Sequence, residues 1–505
     1  MQLFTMKLVW LLLGIIAFSH ARSNTAQRVL STYIAPTEIS PSVSVVLRST
    51  LFDYVAKVAV NVVNEKFQGL DLADVDTVVN VKVVGDVNII LTNIKLVALN
   101  ADPDLAVIRL GEGNVALDIE NVFFSLEADY QYHQLPFPHV SGAGHLKVTG
   151  YEGVVAAIPV FTESNGGIQM NIIDAATDFA RIEVVITGSG ANWLYNMLVG
   201  MFRGNLKQAV CDKITAFIME TLPNEANQVF NGMPRAVDIF GAQLNTSFAD
   251  NPSIQPEAAI MHLYGLFQSP DSEHFEECPY SAQSHTSLGE TMTRGTVHVS
   301  VVNCFAWTLH KQGRMVFHLT PQNFSAELLN TSLWSTYIPG VEEMFPTWKP
   351  MLLDMDMTIA PMAAINPEEG VVMTVRNIKS RFSAIMDESD EVGLELFTLS
   401  IDILLGAIAA VIPSDPDAAL LMLKAELTMG DIAVDVLQSN VGTLDPSKLS
   451  ILFKVIFARV TDTITEYLDE NPIVIPKIPL ISLQNAQVSF ATDMGILDAD
   501  LVYIG

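Results

Sequence analysis

Residues 188–203 read GSGANWLYNMLVGMFR, and this stretch separates two kinds of fold. A glycine-serine-glycine turn follows the strand-like run RIEVVIT (181–187) and opens a long apolar helix, as a dinucleotide-binding loop does. That fingerprint needs a third glycine at position 193, which is a tryptophan, and no P-loop lysine follows. The turn is therefore not predicted to bind phosphate. It connects a strand to an apolar helix that we predict over about residues 192–222, ended by Pro223.

The composition bounds the class of protein. The chain has 505 residues, of which 50% are hydrophobic and 16% charged, so we expect large buried cores in two or more domains. The formal net charge of −29 argues against a nucleic-acid partner, because binding phosphates needs clustered lysine and arginine. The same charge argues against electrostatic docking of the whole chain on anionic membranes.

Residues 1–21 are typical of a secretory signal peptide. Lys7 precedes an apolar core over residues 8–18, and SHA (19–21) forms a cleavage site of small residues. This pattern predicts a secreted, extracellular protein. The apolar core and the run LLGAIAAVI (404–412) are both shorter than the roughly 20 residues that span a bilayer, so no membrane anchor is predicted.

Sequons and cysteines suit a secreted chain. Three Asn-x-Ser/Thr sequons predict glycosylation at Asn245, Asn323 and Asn330. The cysteines are Cys211, Cys278 and Cys304, an odd number that leaves their pairing open. The sequence contains no Cys-x-x-Cys, His-Glu-x-x-His or Gly-x-Ser-x-Gly motif, so no metal, cofactor or catalytic site is predicted.

The segment LFDYVAKVAVNVVNEKF (51–67) has the spacing of an amphipathic helix. Its apolar stripe is Leu51, Val55, Val58 and Val62, and its polar stripe is Asp53, Lys57, Asn61 and Asn64. A strand is the alternative, because β-branched valines lower helix propensity. The coherent polar stripe favours the helix.

The order of the remaining elements indicates an internal duplication. Long alternating runs that predict a curved antiparallel sheet cover residues 75–100, 114–132 and 144–161. After a proline-rich connector at 223–262, a helix is predicted at 301–315, strands at 351–361, 370–386 and 420–437, and a long helix at 445–472 with Asp445 as its N-cap. Helix, strands and long helix therefore occur twice.

Several segments, in this order, resemble the superfamily of bactericidal/permeability-increasing protein, lipopolysaccharide-binding protein, and the cholesteryl ester and phospholipid transfer proteins. WLYNMLVGMFRGNLKQAVCDKITAFIMETLP (193–223) is similar to the family's second helix, and residues 51–67 to its first. Residues 330–357 and 498–505 resemble parts of the second half. The resemblance implies an α+β fold, in which two elongated barrels of strongly curved antiparallel sheet each wrap a long helix and are joined by a central sheet into a boomerang.

The implied domains are an N-terminal lipid-binding barrel over 22–230, a linker or central sheet over 231–262, and a C-terminal lipid-binding barrel over 263–505. The resemblance implies a secreted lipid-binding or lipid-transfer protein, not an enzyme, that holds one phospholipid in an apolar pocket of each barrel. The implied lining residues are Leu51, Tyr54, Val55, Val58, Leu194, Met197, Leu198 and Met201 in the first half, and Leu449, Leu452, Phe453, Ile456 and Phe457 in the second.

Two departures from the family qualify this expectation. The family's usual disulfide joins the helix cysteine, here Cys211, to an earlier strand that carries alanines at 175 and 176 in this chain. Pairing of Cys278 with Cys304 is then implied, and pairing of Cys211 with either of them stays open.

The second departure concerns the tip of the first barrel, where relatives that bind endotoxin carry lysines. The comparable loops, 69–76, 85–88 and 129–142, contain aspartates and no lysine or arginine. Binding of bacterial lipopolysaccharide by an innate-immune protein is thus the weaker alternative, and Phe137 is left as an apolar residue for transient membrane contact. A secreted lipid hydrolase is a third candidate, but its catalytic motif is missing from the sequence.

Overall fold

The computed structural model describes two compact units. The described residues are 40–66, 70–71, 74–81, 85–188, 207–239, 241–270, 278–282, 284–285, 287–387, 393–412, 421–470, 473–475 and 481–503. We call Leu47–Met233 with Asn251–Ile260 the N-terminal unit. The C-terminal unit comprises the described parts of Met1–Val46, Pro234–Asp250 and Met261–Gly505.

The N-terminal unit is built on a seven-stranded antiparallel sheet. Its strands are β2 (Leu70–Asp71), β3 (Val75–Val81), β4 (Gly85–Asn100), β5 (Ala106–Leu110), β6 (Val115–Gln134), β7 (Ser141–Ser164) and β8 (Gly167–Thr187). The order is β2-β4-β6-β7-β8, with β3 paired to β4 and β5 to β6. Register shifts interrupt the β4–β6 and β6–β7 ladders, and such irregularities increase strand bending and curl the sheet.

The concave side of this sheet holds the core of the unit. Phe124 and Phe179 are fully buried and pack edge to face, with ring centroids 4.7 Å apart. Both rings lie over glycines of β7, because a Cβ at Gly150 or Gly153 would overlap the ring of Phe124 or Phe179 respectively. Alternate residues of these strands therefore face the core and the solvent, as predicted from the sequence. Glycine occurs where an aromatic ring from another strand lies against the backbone.

The first predicted helix is confirmed as α1 (Ser49–Lys66), with Leu51 buried and Lys57 exposed as the stripes predict, but the placement of Val55 on the buried face is wrong. Ala56 and Val60 are buried, whereas the side chain of Val55 is 42% exposed. Asn64 from the predicted polar stripe exchanges two hydrogen bonds, of 2.8 and 3.0 Å, with the backbone of Ala101. The backbone of Ala101 therefore holds Asn64 partly buried, and the local sequence pattern did not reveal this partner.

The second long helix continues past Pro223, contrary to the prediction that it ends there. Its described part runs through α2 (Lys207–Ala216), a π-helical turn (Phe217–Thr221) and α3 (Leu222–Gly232), and residues 192–206 lie outside the described part. A proline inside an α-helix lacks a donor and collides with the carbonyl four residues earlier. The π turn, in which the Leu222 N–H donates to the Phe217 oxygen, widens the helix just before the proline and allows it to continue.

The C-terminal unit repeats the arrangement. Its seven-stranded antiparallel sheet has the order β15-β16-β18-β19-β20-β21, with β17 paired to β18. The strands are β15 (Val316–Leu319), β16 (Met351–Met357), β17 (Met362–Asn366), β18 (Gly370–Ala384), β19 (Leu394–Ile412), β20 (Leu421–Ser439) and β21 (Ile473–Ile475). The apolar run at 404–412 is thus the end of a sheet strand.

The described residues of this unit form four helices: α4 (Val299–Lys311), α5 (Thr331–Ser335), α6 (Pro339–Met344) and α7 (Pro446–Glu470). The first and last confirm the helices predicted at 301–315 and 445–472. Asp445 caps α7, because its carboxylate accepts a 3.0 Å hydrogen bond from the Ser447 N–H. Helix, curled sheet and long helix therefore occur once in each unit.

Two smaller sheets complete the described chain. A three-stranded sheet has the order β13 (Leu266–Gln268), β10 (Ala242–Asn245), β9 (Ala236–Ile239). A six-stranded sheet runs β11 (Ser253–Gln255), β12 (Ala258–Leu263), β1 (Val43–Arg48), β14 (Thr293–His298), β23 (Met494–Tyr503), β22 (Ile481–Ala491). Arg294 of β14 forms a bidentate ion pair with Asp498 of β23, at 2.7 and 2.8 Å.

Candidate functional site

An apolar cavity lies in the C-terminal unit, between α7 and the concave face of the sheet. Its volume is about 30 Å³. It is lined by Leu319, Phe324, Leu328, Leu329, Trp334, Leu353, Met355, Ser380, Phe382, Ile401, Phe453, Ile456 and Phe457. No lining side chain is charged, and the Ser380 hydroxyl is turned to a backbone oxygen, that of Ile378 at 3.4 Å.

The helix side of the cavity carries the residues that the resemblance implied for the second half. Phe453, Ile456 and Phe457 line the cavity. Leu449 and Leu452 are buried beside it in the same hydrophobic core. All five lie on one face of α7, since residues three and four apart share a side of a helix. The structure thus brings the five side chains together.

Aromatic rings form the opposite wall. Trp334 is 2% exposed, and its ring centroid lies 4.7 Å from Phe382 and 5.9 Å from Phe453. The indole Nε1–H donates to the Leu328 oxygen at 3.0 Å, so the one polar group of the ring is satisfied inside the protein. Trp334 is not among the lining residues that the resemblance implied, although it lies in the segment 330–357 that resembles the family.

The sheet supplies the floor of the cavity through side chains that alternate between its two sides. In β16, Leu353 and Met355 point into the cavity, and Asp354 between them points outward. Outside, Asp354 accepts hydrogen bonds from Arg381 at 2.6 and 3.1 Å and contacts His318. Burial acts to raise the pKa of Asp354, but the hydrogen bonds from Arg381 and His318 outweigh it and lower that pKa. The charges of this region are therefore kept on the far side of the sheet.

The predicted sites of the first half are only partly described. Leu51 is buried, Tyr54 is half-buried and Val55 is exposed. The side chain of Val58 lies outside the described part of the structure, as do Leu194, Met197, Leu198 and Met201. Val55 faces away from the packed core, so this side of α1 is not used up by internal packing.

The cysteines divide as the resemblance implied. The sulfur atoms of Cys278 and Cys304 lie at disulfide distance, and their Cα atoms are 5.5 Å apart. Cys211 is a free, buried thiol. Burial raises the pKa of Cys211, with the nearby Asp178 adding to the effect, so the thiol is held in its unreactive protonated form.

The three sequons lie in different environments. Asn245 is buried in β10, and its side-chain oxygen accepts a 2.9 Å hydrogen bond from the Ser247 N–H. Asn323 and Asn330 are partly exposed. Asn330 also caps α5 through a 2.9 Å hydrogen bond from the Ser332 N–H. A glycan fits Asn323 and Asn330 better than Asn245, because the bulky sugar must project into solvent.

The described residues hold no constellation for metal chemistry. Across the described ranges, no three histidine, cysteine or carboxylate side chains gather closely enough to hold a metal ion. In the same part of the chain, no helix combines the length and apolar character needed to cross a bilayer. What the cavity can do chemically is bury apolar surface.

Comparison with solved structures identifies the architecture. The crystal structure of lipopolysaccharide binding protein superimposes on 92% of this chain and all of its own chain, with a TM-score of 0.58 at 13% sequence identity. The chain has the fold of lipopolysaccharide binding protein. This confirms the α+β architecture of curled antiparallel sheets with long helices that the resemblance implied.

Two further solved structures share smaller similarity with this fold. Takeout 1 of Epiphyas postvittana is 15% identical and covers 36% of this chain and 87% of its own, with a TM-score of 0.21. P47 of Clostridium botulinum A2 is 8% identical and covers 91% of this chain and 97% of its own, with a TM-score of 0.22. These scores are too low to add to the assignment. No protein-family model and no curated protein sequence matches the chain.

Proposed function

We propose that this chain is a secreted lipid-binding protein that holds acyl chains against α7 inside the C-terminal unit. The observation that carries the proposal is a charge-free cavity at the helix–sheet interface of a fold shared with lipopolysaccharide binding protein. The proposed role is binding and carriage of lipid without chemical conversion. A phospholipid or another amphipathic lipid is the proposed partner.

The cavity must widen to admit an acyl chain. Its volume of about 30 Å³ is far below the roughly 150 Å³ of an engineered cavity that accepts benzene. Ile456 and Phe457 are only partly buried, so these two side chains of α7 can move without leaving the core. Burying methylenes contributes about 0.8 kcal/mol each, so ten of them supply about 8 kcal/mol toward displacing these groups. Lipid binding is therefore coupled to repacking along one face of α7.

We propose a second lipid site in the N-terminal unit, lined from α1 by Leu51, Tyr54, Val55 and Val58. The second helix would supply Leu194, Met197, Leu198 and Met201 to the same site. The exposed Val55 supports this assignment, because an apolar side chain left outside the core is available to a ligand. The proposed domains are a barrel over 22–230, a linker over 231–262 and a barrel over 263–505.

Transient membrane contact is proposed at the β6–β7 hairpin. Phe137 at its tip is 88% exposed, and Leu135 and Val140 beside it are also exposed. An aromatic ring presented in this way suits insertion at a bilayer surface. The described residues of this hairpin include no lysine or arginine between Asp129 and Gly142, which disfavours phosphate clamping of lipid A.

Secretion belongs to the same proposal. The signal-like residues 1–21, the cysteine pair at disulfide distance, and the partly exposed sequons at Asn323 and Asn330 all suit an oxidising secretory route. Expression in a secreting cell, followed by N-terminal sequencing and glycosidase treatment, tests this part. A chain that keeps residue 1 and carries no glycan would contradict it.

Native mass spectrometry of the secreted protein, followed by lipid extraction, tests lipid binding. We expect up to two lipids per chain, one for each unit. The variant Ile456→Trp fills the cavity and should lose one of them, whereas the control Leu437→Trp changes an exposed side chain on β20 and should lose none. A lipid-free chain that also takes no lipid from vesicles would sink the proposal. Recovery of hydroxylated fatty acids typical of lipid A would instead favour lipopolysaccharide as the ligand.

A further inference from the structure

Helix α7 presents two different faces over its first four turns. Its inward face carries Phe453 and Ile456 of the cavity. On the opposite face, the side chains of Ile451 and Val455 are 68% and 66% exposed. Because these two residues are four positions apart, they are neighbours on the helix surface and form one continuous apolar patch. Contiguous exposed apolar surface marks an interaction site more often than a lone side chain does.

The same stretch of helix carries a net positive charge, whereas the whole chain carries a net negative charge. Residues 446–461 include Lys448, Lys454 and Arg459 and no aspartate or glutamate, in a chain of net charge −29. Lys448 and Lys454 are both exposed and flank the apolar pair. The acidic residues of the helix begin only at Asp462. A local cationic surface is thus set apart within an acidic protein.

Two exposed carboxylates lie near this surface, those of Asp431 and Asp445, and the Asp445 carboxylate accepts the Ser447 N–H as the helix cap. The Oδ1 atom of Asp431 lies 3.7 Å from the Nζ atom of Lys454, and the Asp431 side chain is almost completely exposed. A solvated pair at that distance is weak, because water screens both charges. Lys454 can therefore exchange this carboxylate for another anion at little cost.

We propose that the outer α7 face, defined by Lys448, Ile451, Lys454 and Val455, docks on an anionic phospholipid bilayer. The two β-branched side chains enter the boundary between headgroups and acyl chains, and the two ammonium groups lie beside lipid phosphates. This inference rests on the proposed function, because the cavity lies behind the same turns of the helix. The lipid surface and the cavity are then separated by a single helix, about 10 Å across.

Charge and size favour a bilayer over a protein partner. A stable protein interface buries roughly 800 Å² on each partner, far more than four side chains supply. In a two-fold dimer this face would meet its own copy, so that lysines would lie opposite lysines. On an anionic bilayer, by contrast, each lysine near the surface strengthens binding about five-fold. Charges elsewhere on the protein are screened beyond about 8 Å at physiological ionic strength.

Vesicle sedimentation with the full-length protein tests the docking face. The vesicles are pure phosphatidylcholine or a 7:3 mixture of phosphatidylcholine and phosphatidylglycerol, at roughly 0.05 and 0.5 M salt. We expect the wild-type protein to bind the anionic vesicles preferentially and to lose that preference at high salt. The double variant Lys448→Gln/Lys454→Gln should bind them about 25-fold more weakly, with little salt dependence left. The double variant Ile451→Ser/Val455→Ser should weaken binding about ten-fold at both salt concentrations.

Matched controls separate this face from general effects. Lys379→Gln removes an exposed lysine of β18, and Leu437→Ser removes an exposed apolar side chain of β20. Both controls should bind vesicles like the wild type. All four substituted positions of the docking face are exposed, so every variant should unfold at the wild-type temperature.

The outcomes distinguish the docking face from the proposed function. If the wild type ignores anionic vesicles, or the docking variants bind like the controls, the docking face is refuted while co-purifying lipid still supports the cavity. If the variants lose vesicle binding and the protein carries no lipid, the docking face stands and the cavity proposal fails. Loss of a dimer in the same variants, measured by analytical ultracentrifugation, would assign the face to a second copy and overturn the bilayer.

Discussion

Replacing Trp334 by alanine tests whether the aromatic wall stabilises the C-terminal unit. The side chain is 2% exposed, and its ring contacts Phe382 and Phe397 at centroid distances of 4.7 and 5.4 Å. Truncating a buried tryptophan to alanine costs about 3–5 kcal/mol, because transfer free energy is lost and a cavity is left. For a unit of this size, that corresponds to a decrease of roughly 5–8 °C in its unfolding temperature.

Differential scanning calorimetry measures this effect for each unit. We expect the transition of the C-terminal unit to shift and that of the N-terminal unit to stay in place. The matched control is Trp348→Ala, because Trp348 is 62% exposed and its removal should change stability by no more than about 0.5 kcal/mol. The stability loss of Trp334→Phe should be intermediate between those of Trp334→Ala and Trp348→Ala. Phenylalanine keeps an aromatic ring but loses the 3.0 Å hydrogen bond to the Leu328 oxygen. Equal shifts for the alanine variants of the two tryptophans would refute the burial argument.

Three further outcomes follow from named contacts. Asp354→Asn should lower the unfolding temperature at pH 7, because a lowered pKa stabilises the fold above the unfolded pKa of about 4 and that stabilisation is lost as pH falls through the folded pKa. The difference from the wild type should therefore shrink in acid, and an unchanged difference across a pH series would contradict this. Reducing the Cys278–Cys304 pair, whose sequence separation is 26, should cost about 3–4 kcal/mol, and a melting curve insensitive to reductant would oppose it. Gly340→Ala should destabilise the C-terminal unit in urea unfolding, because the added Cβ would overlap a backbone oxygen, and a wild-type midpoint would disprove that contact.

Elements whose signal is local could be predicted from the sequence. Helix α7 carries its own cap at Asp445, and its apolar spacing is sustained along its length. The long strands alternate because the concave side of each sheet is packed and the other side meets water. The lining residues Phe453, Ile456 and Phe457 were implied by the resemblance to the lipid-binding family, and they lie together on one face of α7.

Features that depend on distant partners could not be predicted. Asn64 belongs to a polar stripe in the sequence, and only the backbone of Ala101 explains why it faces inward. Pro223 normally ends a helix, and here a π turn accommodates it. Trp334 reaches the cavity because three separate segments converge there, and no window of the sequence shows that convergence.

The pairing of β14 with β23 has a consequence for synthesis on the ribosome. Thr293 pairs with Ala499, 206 residues later in the chain. At about 5–20 residues per second, translation takes roughly 10–40 s to deliver that partner, and for this period one edge of β14 lacks its native neighbour. An unpaired strand edge pairs readily with other chains. The nascent protein therefore needs a chaperone that covers this edge during the interval. The demand for chaperones should therefore rise most for changes that delay or remove residues 494–503.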